Sequence, residues 1–243
     1  MWEIIEDKIK LIKQYDNLYT VFDSSFHKYQ FREKKNTLDL LRFETSNNIL
    51  LPEQLRSFLK YFGDGGAGPD WGMYSLDQFN IYTPNNLHEE DIFNDNVQGF
   101  LGIIDRYYAY ESCIITSGNH LGQIYSFEEN SFFFKTHDSL FDFYLEWLNS
   151  ELFLFQFILD RIKINHSINE TIIELFNLKK IQPRITLKKL ASLLNWKNFR
   201  NTIDIDKIHE YTVDSISDFS LSENIKLEIK AQILLFKSHK NPI

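Results

Sequence analysis

Apolar residues recur at helical spacing in several segments of the first third of the chain. In WEIIEDKIKLIKQY, isoleucines alternate with charged side chains, which predicts an amphipathic helix. In PEQLRSFLKYF, Leu55, Phe58 and Phe62 form one apolar stripe, and Pro52 suits the first helical turn. TLDLLRFE predicts another helix, whereas LYTVF and HKYQF predict short β segments.

From Trp71 onward the pattern changes to short runs of aromatic and β-branched residues with turn residues between them. The runs are WGMYSL, FNIY, GFLGIID, YAYESCIITS, GQIYSF and SFFFKT. Gly118-Asn119 and Glu129-Asn130 have the composition of hairpin turns. Such runs predict the strands of one twisted antiparallel or mixed sheet with helices packed on one face. The predicted fold class is therefore α+β.

Beyond residue 152, helical spacing returns in three segments joined by loops. Their apolar stripes are Ile168, Ile172, Leu175 and Phe176, then Leu187, Leu190, Ala191 and Leu194, then Leu221, Ile225, Ile229, Ile233 and Phe236. No linker rich in glycine, proline or serine separates these segments from the strands. We therefore expect an α+β domain over residues 1–152 and a helical C-terminal extension over residues 153–243 that packs on it.

Glycine is concentrated just after the PEQLRSFLKYF helix. The set is Gly63, Gly65, Gly66, Gly68 and Gly72. This density marks backbone that takes positive φ or passes close to other backbone. The first, second and fourth of these glycines satisfy GxGxxG, but a dinucleotide fingerprint follows a strand and opens a helix. Because a helix precedes the glycines here, the sequence predicts a structural corner and no cofactor.

Charge is unevenly distributed along the chain. The 243 residues carry a net charge of −8, and residues 51–150 contain four basic and fifteen acidic side chains. The densest acidic stretch contains Glu89, Glu90, Asp91 and Asp95. Such a stretch is either a solvated face or a surface that attracts a basic partner.

The sequence lacks the usual motifs of catalysis, metal binding and membrane insertion. HExxH, GxSxG and Walker loops are absent, and the histidines show no ligand spacing. Cys113 lies in an apolar run typical of a buried strand, while Asp64 and Asp70 are placed either to bind a cation or to cap turns. Acidic residues such as Asp142 and Glu146 interrupt the most hydrophobic region. We therefore expect a non-enzymatic cytoplasmic protein with no membrane segment and no bound metal.

One segment of the C-terminal extension has an alternative interpretation. LKKLASLLNW resembles the first helix of a helix-turn-helix, and four nearby cations are available for phosphates. They are Lys188, Lys189, Lys197 and Arg200. Leucines at this spacing are more typical of a core, and residues 151–243 carry only three more basic than acidic side chains. We expect no direct binding of nucleic acid.

Several short motifs occur in an order that is typical of one known family. They are Phe22, His27 and Tyr29; Phe43 and Glu44; Leu51, Pro52, Arg56, Phe58 and Leu59; Gly63, Gly65, Gly66, Ala67, Gly68 and Pro69; Cys113, Gly118 and Gly122; and FDFYLEWL at 141–148. Together they resemble the SUKH superfamily, which includes bacterial toxin-immunity proteins and fungal cell-wall-assembly regulators. The resemblance covers about residues 21 to 152. Trp71 stands where the family usually has tyrosine.

The resemblance implies an immunity protein that binds and neutralises a cognate bacterial toxin domain, with a basic nuclease as the expected partner. The alternative is a regulatory scaffold or adaptor, similar to the fungal relatives, that binds endogenous proteins. Exposed aromatic residues would form the centre of the interface, and carboxylates would set the association rate. Besides the acidic stretch, the candidate partner-binding residues are Asp64, Asp70, Trp71, Tyr82, Tyr107 and Tyr108.

Overall fold

The structure is a computed structural model that describes residues 1–17, 19, 21, 24–82, 99–106, 110–128, 132–165, 167, 171, 189 and 193. Its helices are α1 (Trp2–Tyr15), α2 (Ser24–His27), α3 (Thr37–Asn47), α4 (Glu53–Tyr61) and α5 (Leu140–Asn165). Its strands are β1 (Asn80–Tyr82), β2 (Phe100–Arg106), β3 (Tyr110–Ile115), β4 (Ile124–Glu128) and β5 (Phe132–His137). Short 3₁₀ turns cover Leu76–Gln78 and Gly118–His120.

The described strands form one antiparallel sheet in the order β1-β2-β3-β4-β5. Every strand pairs with its neighbour in sequence, because antiparallel strands can be joined by short connections without a crossover. Together with the helices before and after it, this sheet confirms the predicted α+β fold. The register shifts between Gly102 and Ile104, so β2 carries a bulge opposite β3.

Both faces of the sheet contain buried apolar side chains. Leu101, Ile114 and Ile124 lie opposite one another on β2, β3 and β4, and all three are fully buried. On the other face, Phe100, Cys113, Ile115 and Tyr125 form a buried cluster with Tyr82 packed against it. The sheet is therefore covered on both sides, and its strands do not show the simple alternation of a half-exposed sheet.

An aromatic core joins α1, α4 and the first part of α5. The Trp2 ring meets Phe58 and Phe62 edge-on at centroid distances of 5.6 and 5.8 Å. Phe58 in turn packs on Tyr144 at 4.9 Å, and the Trp2 indole N–H donates to Ser57 Oγ at 2.7 Å. Edge-on aromatic pairs and buried apolar area both favour this arrangement, with about 1.5–3 kcal/mol for each fully buried large side chain.

A buried ion pair connects α3 with α4. Glu44, near the end of α3, accepts a hydrogen bond from the Leu51 N–H at 2.9 Å and also bonds the Arg56 guanidinium. The Glu44 carboxylate raises the pKa of Arg56. Between the two helices the chain turns at Asn48, which ends α3 in the left-handed region at φ 53°. The ion pair of Glu44 with Arg56 thus links α3 to α4 across the turn between them.

Several local predictions differ from the structure. HKYQF begins at the end of helix α2, and its Lys28 and Tyr29 have φ of 49° and 55°, which no β segment accepts. In WGMYSL, Met73 makes only isolated bridges, since Asp70 at φ 50° and Gly72 at φ 87° bend the chain. Gly118-Asn119 belongs to a longer connection with a 3₁₀ turn rather than to a two-residue hairpin turn.

Two predictions on short segments fall largely outside the described residues. In LYTVF, Leu18, Thr20 and Phe22 are not described. The predicted turn at Glu129-Asn130 is not described either.

The chain divides into two compact units. The first contains Met1–Lys13 and Phe22–Ser150, and the second contains Gln14–Val21 and Glu151–Ile243. In the described part of the second unit, the buried Lys189 Nζ pairs with Oε2 of the partly exposed Glu151 at 2.7 Å. The same ammonium lies 4.4 Å from the centre of the Phe155 ring, which also contacts Tyr15.

The C-terminal extension is described at few positions beyond α5. The boundary at residue 152 and the helices of the extension therefore stay predictions. Lys189, one of the four cations considered for phosphate binding, is buried and paired inside its unit. None of the described helices has both the length and the apolar character that a bilayer crossing requires.

Candidate protein-binding site

The glycine corner is a place where four segments of backbone meet. Isolated antiparallel bridges link Phe31 to Gly66, Gly66 to Met73, and Met73 to Ile104 of β2. The Gly66 N–H donates to the Met73 carbonyl, and the Met73 N–H donates back to the Gly66 carbonyl, both at 2.9 Å. The pairing of the sheet thus continues from β2 into the corner, but as single bridged residues and not as further strands.

Close backbone contacts explain why the corner requires glycine. A Cβ on Gly63 would lie 2.0 Å from the Arg32 carbonyl oxygen, and one on Gly72 would lie 2.1 Å from the Gly66 oxygen. A Cβ on Gly65 would lie 2.1 Å from the Tyr74 carbonyl oxygen. Gly63, Gly65, Gly66 and Gly72 have positive φ, whereas Gly68 is confined by the Tyr144 hydroxyl, 3.0 Å from its ideal Cβ. Positive φ and close backbone therefore disfavour larger residues at the first four positions, whereas a Cβ at Gly68 would require only a small shift of the Tyr144 hydroxyl.

The N–H groups of the corner bond to carbonyl oxygens of the same domain. Asp64 N–H donates to Glu33 O, Gly66 N–H to Met73 O, and Ala67 N–H to Gln30 O, at 2.8–2.9 Å. A phosphate cradle needs such N–H groups directed at the ligand. The GxGxxG spacing is therefore explained by backbone crossing, and these N–H groups are already used within the fold.

Asp64 is part of the corner itself. Its carboxylate accepts from the Leu76 N–H at 2.6 Å and pairs with Lys35 Nζ at 2.7 Å. The hydrogen bond to Asp64 raises the pKa of the Lys35 ammonium. Both carboxylate oxygens of Asp64 are thus bonded inside the corner, one to backbone and one to Lys35.

Two buried side chains, Tyr144 and His27, pack against the glycine corner. The fully buried Tyr144 donates its hydroxyl proton to the Ala67 carbonyl at 2.9 Å. His27 accepts from the Tyr29 N–H at Nδ1, and its ring contacts Tyr29 and Trp147 edge-on. A Cβ on Gly72 would lie 3.2 Å from His27 Cδ2, so the His27 ring of α2 lies close to the backbone at Gly72. The backbone positions on both sides of this contact are closely packed.

Two large aromatic rings project from this support toward solvent. Phe26, the residue before His27, is 70% exposed, and Trp71, the residue before Gly72, is 45% exposed. Their ring centroids are 5.7 Å apart with a tilt of 41°. Beside them, Asp70 Oδ2 accepts from Arg106 Nε at 3.0 Å. We call Phe26, Asp70 and Trp71 the aromatic patch.

Tyr82 belongs to a different surface, on the second face of the sheet. Its ring stacks on Phe100 at 4.6 Å, and its hydroxyl donates to Glu111 Oε2 at 2.8 Å. Glu111 Oε1 accepts from Asn80 Nδ2 at 2.7 Å. Gly102 leaves the room for this carboxylate, because a Cβ there would lie 2.1 Å from it. Tyr82 is therefore half-buried and orients a buried carboxylate.

Cys113 lies next to this carboxylate and is fully buried. Burial raises the pKa of its thiol well above the ordinary value, and the negative charge of Glu111 adds to the shift. A thiol in this state is protonated at neutral pH and is a poor nucleophile. Within the described residues, no three histidine, cysteine or carboxylate side chains are grouped as a metal site would require.

The remaining candidates are not described by the structure. Glu89, Glu90, Asp91, Asp95, Tyr107 and Tyr108 lie outside the described residues. Conversely, the sequence patterns do not mark Phe26 or Glu111 for partner binding. Phe26 had one signal, its position directly before His27 of the opening motif. Glu111 had none, because a single acidic residue at the start of a strand is usually exposed.

Comparison of the chain with protein-family models, with curated proteins and with solved structures finds no match. The resemblance to the SUKH superfamily therefore stays a prediction based on its motifs.

Proposed function

We propose that this protein is an immunity protein that binds and neutralises a cognate bacterial toxin domain, a basic nuclease, by direct protein–protein contact. It acts as a binding protein and not as an enzyme. The observation that carries the proposal is the aromatic patch, in which two exposed rings stand on backbone that is fixed by the glycine corner.

Rigid, exposed aromatic residues are what a tight protein interface needs at its centre. Tryptophan is enriched among the residues that contribute most to binding, and little side-chain or loop entropy is lost when the support is already fixed. In the aromatic patch the neighbours His27 and Gly72 are buried, while Phe26 and Trp71 are exposed. The buried tyrosine Tyr144 further fixes the segment that precedes Trp71.

The charge of the chain supports a basic partner. Residues 51–150 contain fifteen acidic and four basic side chains, and nuclease domains carry basic surfaces to hold phosphates. A field of one sign accelerates association and disfavours partners of the same sign. Protection from a lethal enzyme requires that almost no toxin stays free. The Kd must therefore be nanomolar or lower, which corresponds to a binding free energy of about −12 kcal/mol or below.

The test measures binding to the toxin domain encoded beside this chain, with purified full-length protein in rising salt. We expect a nanomolar Kd and an association rate that falls steeply with salt. Trp71→Ala should weaken binding by about 2 kcal/mol or more, roughly 30-fold, mostly through faster dissociation. Phe134→Ala is the matched control, because Phe134, 53% exposed against 45% for Trp71, is an aromatic residue on β5, at the other edge of the sheet.

A triple variant tests the acidic stretch in the same assay. Glu89→Lys, Glu90→Lys and Asp91→Lys together should slow association at every salt concentration while the protein stays folded. Absence of binding by the wild type refutes the proposed function. Tight binding of an endogenous protein instead, without protection against the toxin, would indicate the scaffold alternative.

A further inference from the structure

We propose that the aromatic patch receives a cationic side chain, arginine or lysine, from the partner protein, with the ring faces of Phe26 and Trp71 and the carboxylate of Asp70 as its contacts. This inference rests on the proposed function, because it names the chemistry that the same surface recognises. It goes beyond that function in assigning Phe26 to the interface and in specifying the side chain that the interface accepts.

Ring geometry is the first support. The two rings are tilted by 41° at 5.7 Å, so they do not stack flat and hide each other's faces. Both rings remain exposed, Phe26 at 70% and Trp71 at 45%. The face of an aromatic ring carries negative electrostatic potential, and tryptophan attracts cations most strongly. An exposed tilted pair therefore suits an extended cation better than it suits a flat apolar surface.

The rigid backbone that carries the two rings is the second observation in favour of the proposal. The Gly72 N–H donates to the Pro69 carbonyl at 2.9 Å, which closes a tight turn around Asp70 and Trp71. Asp70 itself has a φ of 50°, a conformation that asparagine and aspartate tolerate better than most residues. On the other side, Lys28 and Tyr29 hold two consecutive left-handed conformations directly after α2. Strained backbone of this kind persists only where the surrounding structure fixes it.

An arginine is already bound to the patch within the domain. Arg106 of β2 donates from Nε to Asp70 Oδ2 at 3.0 Å and remains 40% exposed. A guanidinium therefore already reaches the carboxylate beside Trp71. A carboxylate offers two oxygens with about four lone-pair positions, so a second cation is accommodated next to the first or in exchange for it.

Charges near the patch both favour and oppose a cation. Arg106 neutralises Asp70 locally, and Lys28 is an exposed cation two residues after Phe26. The favourable contributions are therefore the ring faces, the Asp70 carboxylate, which the incoming cation shares with Arg106, and at longer range the net charge of −8 of the chain. Because the ring contribution falls off over a short distance and the acidic field over a longer one, substitutions at Trp71 and changes in salt separate the two.

The experiment titrates the full chain, labelled with ¹⁵N, with three hexapeptides of arginine, lysine or citrulline. The readout is the indole N–H signal of Trp71, assigned from the spectrum of Trp71→Phe, together with the backbone amide signal of Gly72, which is present in the wild type and in every variant. We expect saturable shifts with the arginine and lysine peptides and none with citrulline, which has the shape of arginine without its charge. Trp71→Leu should weaken arginine-peptide binding roughly two- to fivefold, the range for an exposed cation–π contact. Phe134→Leu should leave it unchanged.

Asp70→Asn provides a second variant with the fold preserved. Asparagine accepts the left-handed conformation of residue 70 but carries no charge. It should weaken binding of both cationic peptides, and the remaining signals of the spectrum report whether the corner is intact.

Three results would overturn the inference. They are equal shifts with the citrulline peptide, arginine binding to Trp71→Leu as tight as to the wild type, or the same loss in Phe134→Leu as in Trp71→Leu. Failure of the proposed function looks different. If the arginine peptide binds at Trp71 but the toxin domain does not bind, only the proposed function fails. If the wild type and Trp71→Leu bind the toxin domain equally well, only the inference fails.

Discussion

Gly66 and Gly122 have positive φ under different steric conditions. Gly66 has φ 107°, and a Cβ there would lie 2.3 Å from the Gln30 carbonyl oxygen and 2.9 Å from Phe31 Cα. Gly122 has φ 83°, but its nearest neighbour would be Pro52 Cβ at an ordinary 3.8 Å. The conformational cost of a side chain is present at both positions, whereas the clash with backbone is present only at Gly66.

These two glycines allow the cost of the close approach to be measured. Gly122→Ala should destabilise the protein by about 1–2 kcal/mol, the cost of a left-handed conformation for a residue with a Cβ. Gly66→Ala should cost roughly 1–3 kcal/mol more, because the backbone of residues 30–31 must also move. Urea unfolding at constant slope gives both values. Equal losses in the two variants would show that backbone crossing at the corner is not the reason for glycine.

At the scale of secondary-structure elements, one carboxylate fixes two helices. Glu44 is almost completely buried between α3 and α4 and bonds both the Arg56 side chain and the Leu51 N–H. Arg56 has a second, weaker contact at 3.9 Å with Glu53, whose side chain is 89% exposed. Arg56 thus has one buried and one solvent-exposed carboxylate partner, and the loss of each should change the free energy of unfolding by a different amount.

Glu44→Gln should destabilise the protein by about 3 kcal/mol, because it leaves the Arg56 charge without its buried partner. Glu53→Gln, the same chemical change on the same guanidinium, should cost less than about 1 kcal/mol, since water screens the exposed pair. Thermal unfolding of both variants measures the difference. Similar effects of the two substitutions would mean that the pair does not hold α3 to α4.

At the scale of the whole molecule, the two compact units are not continuous in sequence. Residues 14–21 belong with residues 151–243, although the rest of the N-terminal half belongs to the first unit. The Tyr15 ring lies 6.0 Å from Phe155, and Phe155 in turn contacts the Lys189 ammonium. The C-terminal residues therefore complete a unit to which part of the N-terminal half contributes.

Deletion of the chain after Asn149 should lower both solubility and the thermal midpoint. The truncated protein would retain Gln14–Val21 without the remainder of their unit, so Tyr15 would lose its contact with Phe155. Differential scanning calorimetry and the yield of soluble protein provide the measurement. A cooperative transition at the wild-type midpoint would instead show that residues 150–243 form an independent module.

Local patterns of the sequence predicted those parts of the fold that depend on local physics. The apolar periods identified α1, α3 and α4 and the strands of the sheet, since a helix or strand must place its apolar residues on its buried sides. The glycine cluster predicted a backbone corner, because no other residue tolerates positive φ together with close approach. The same signals fail at HKYQF and WGMYSL, where strained turns replace the predicted strands.

Exposure and long-range pairing were decided by the tertiary structure alone. Trp71 and Tyr82 are equally plausible in sequence as exposed aromatic residues, yet Trp71 is exposed and Tyr82 is stacked on Phe100 and bonded to Glu111. Asp64 and Asp70 flank the same glycines, but Asp64 is used inside the corner and Asp70 lies beside Trp71. The side-chain contacts of Tyr82 with Glu111 and of Asp70 with Arg106 join residues 29 and 36 positions apart, which no local pattern encodes.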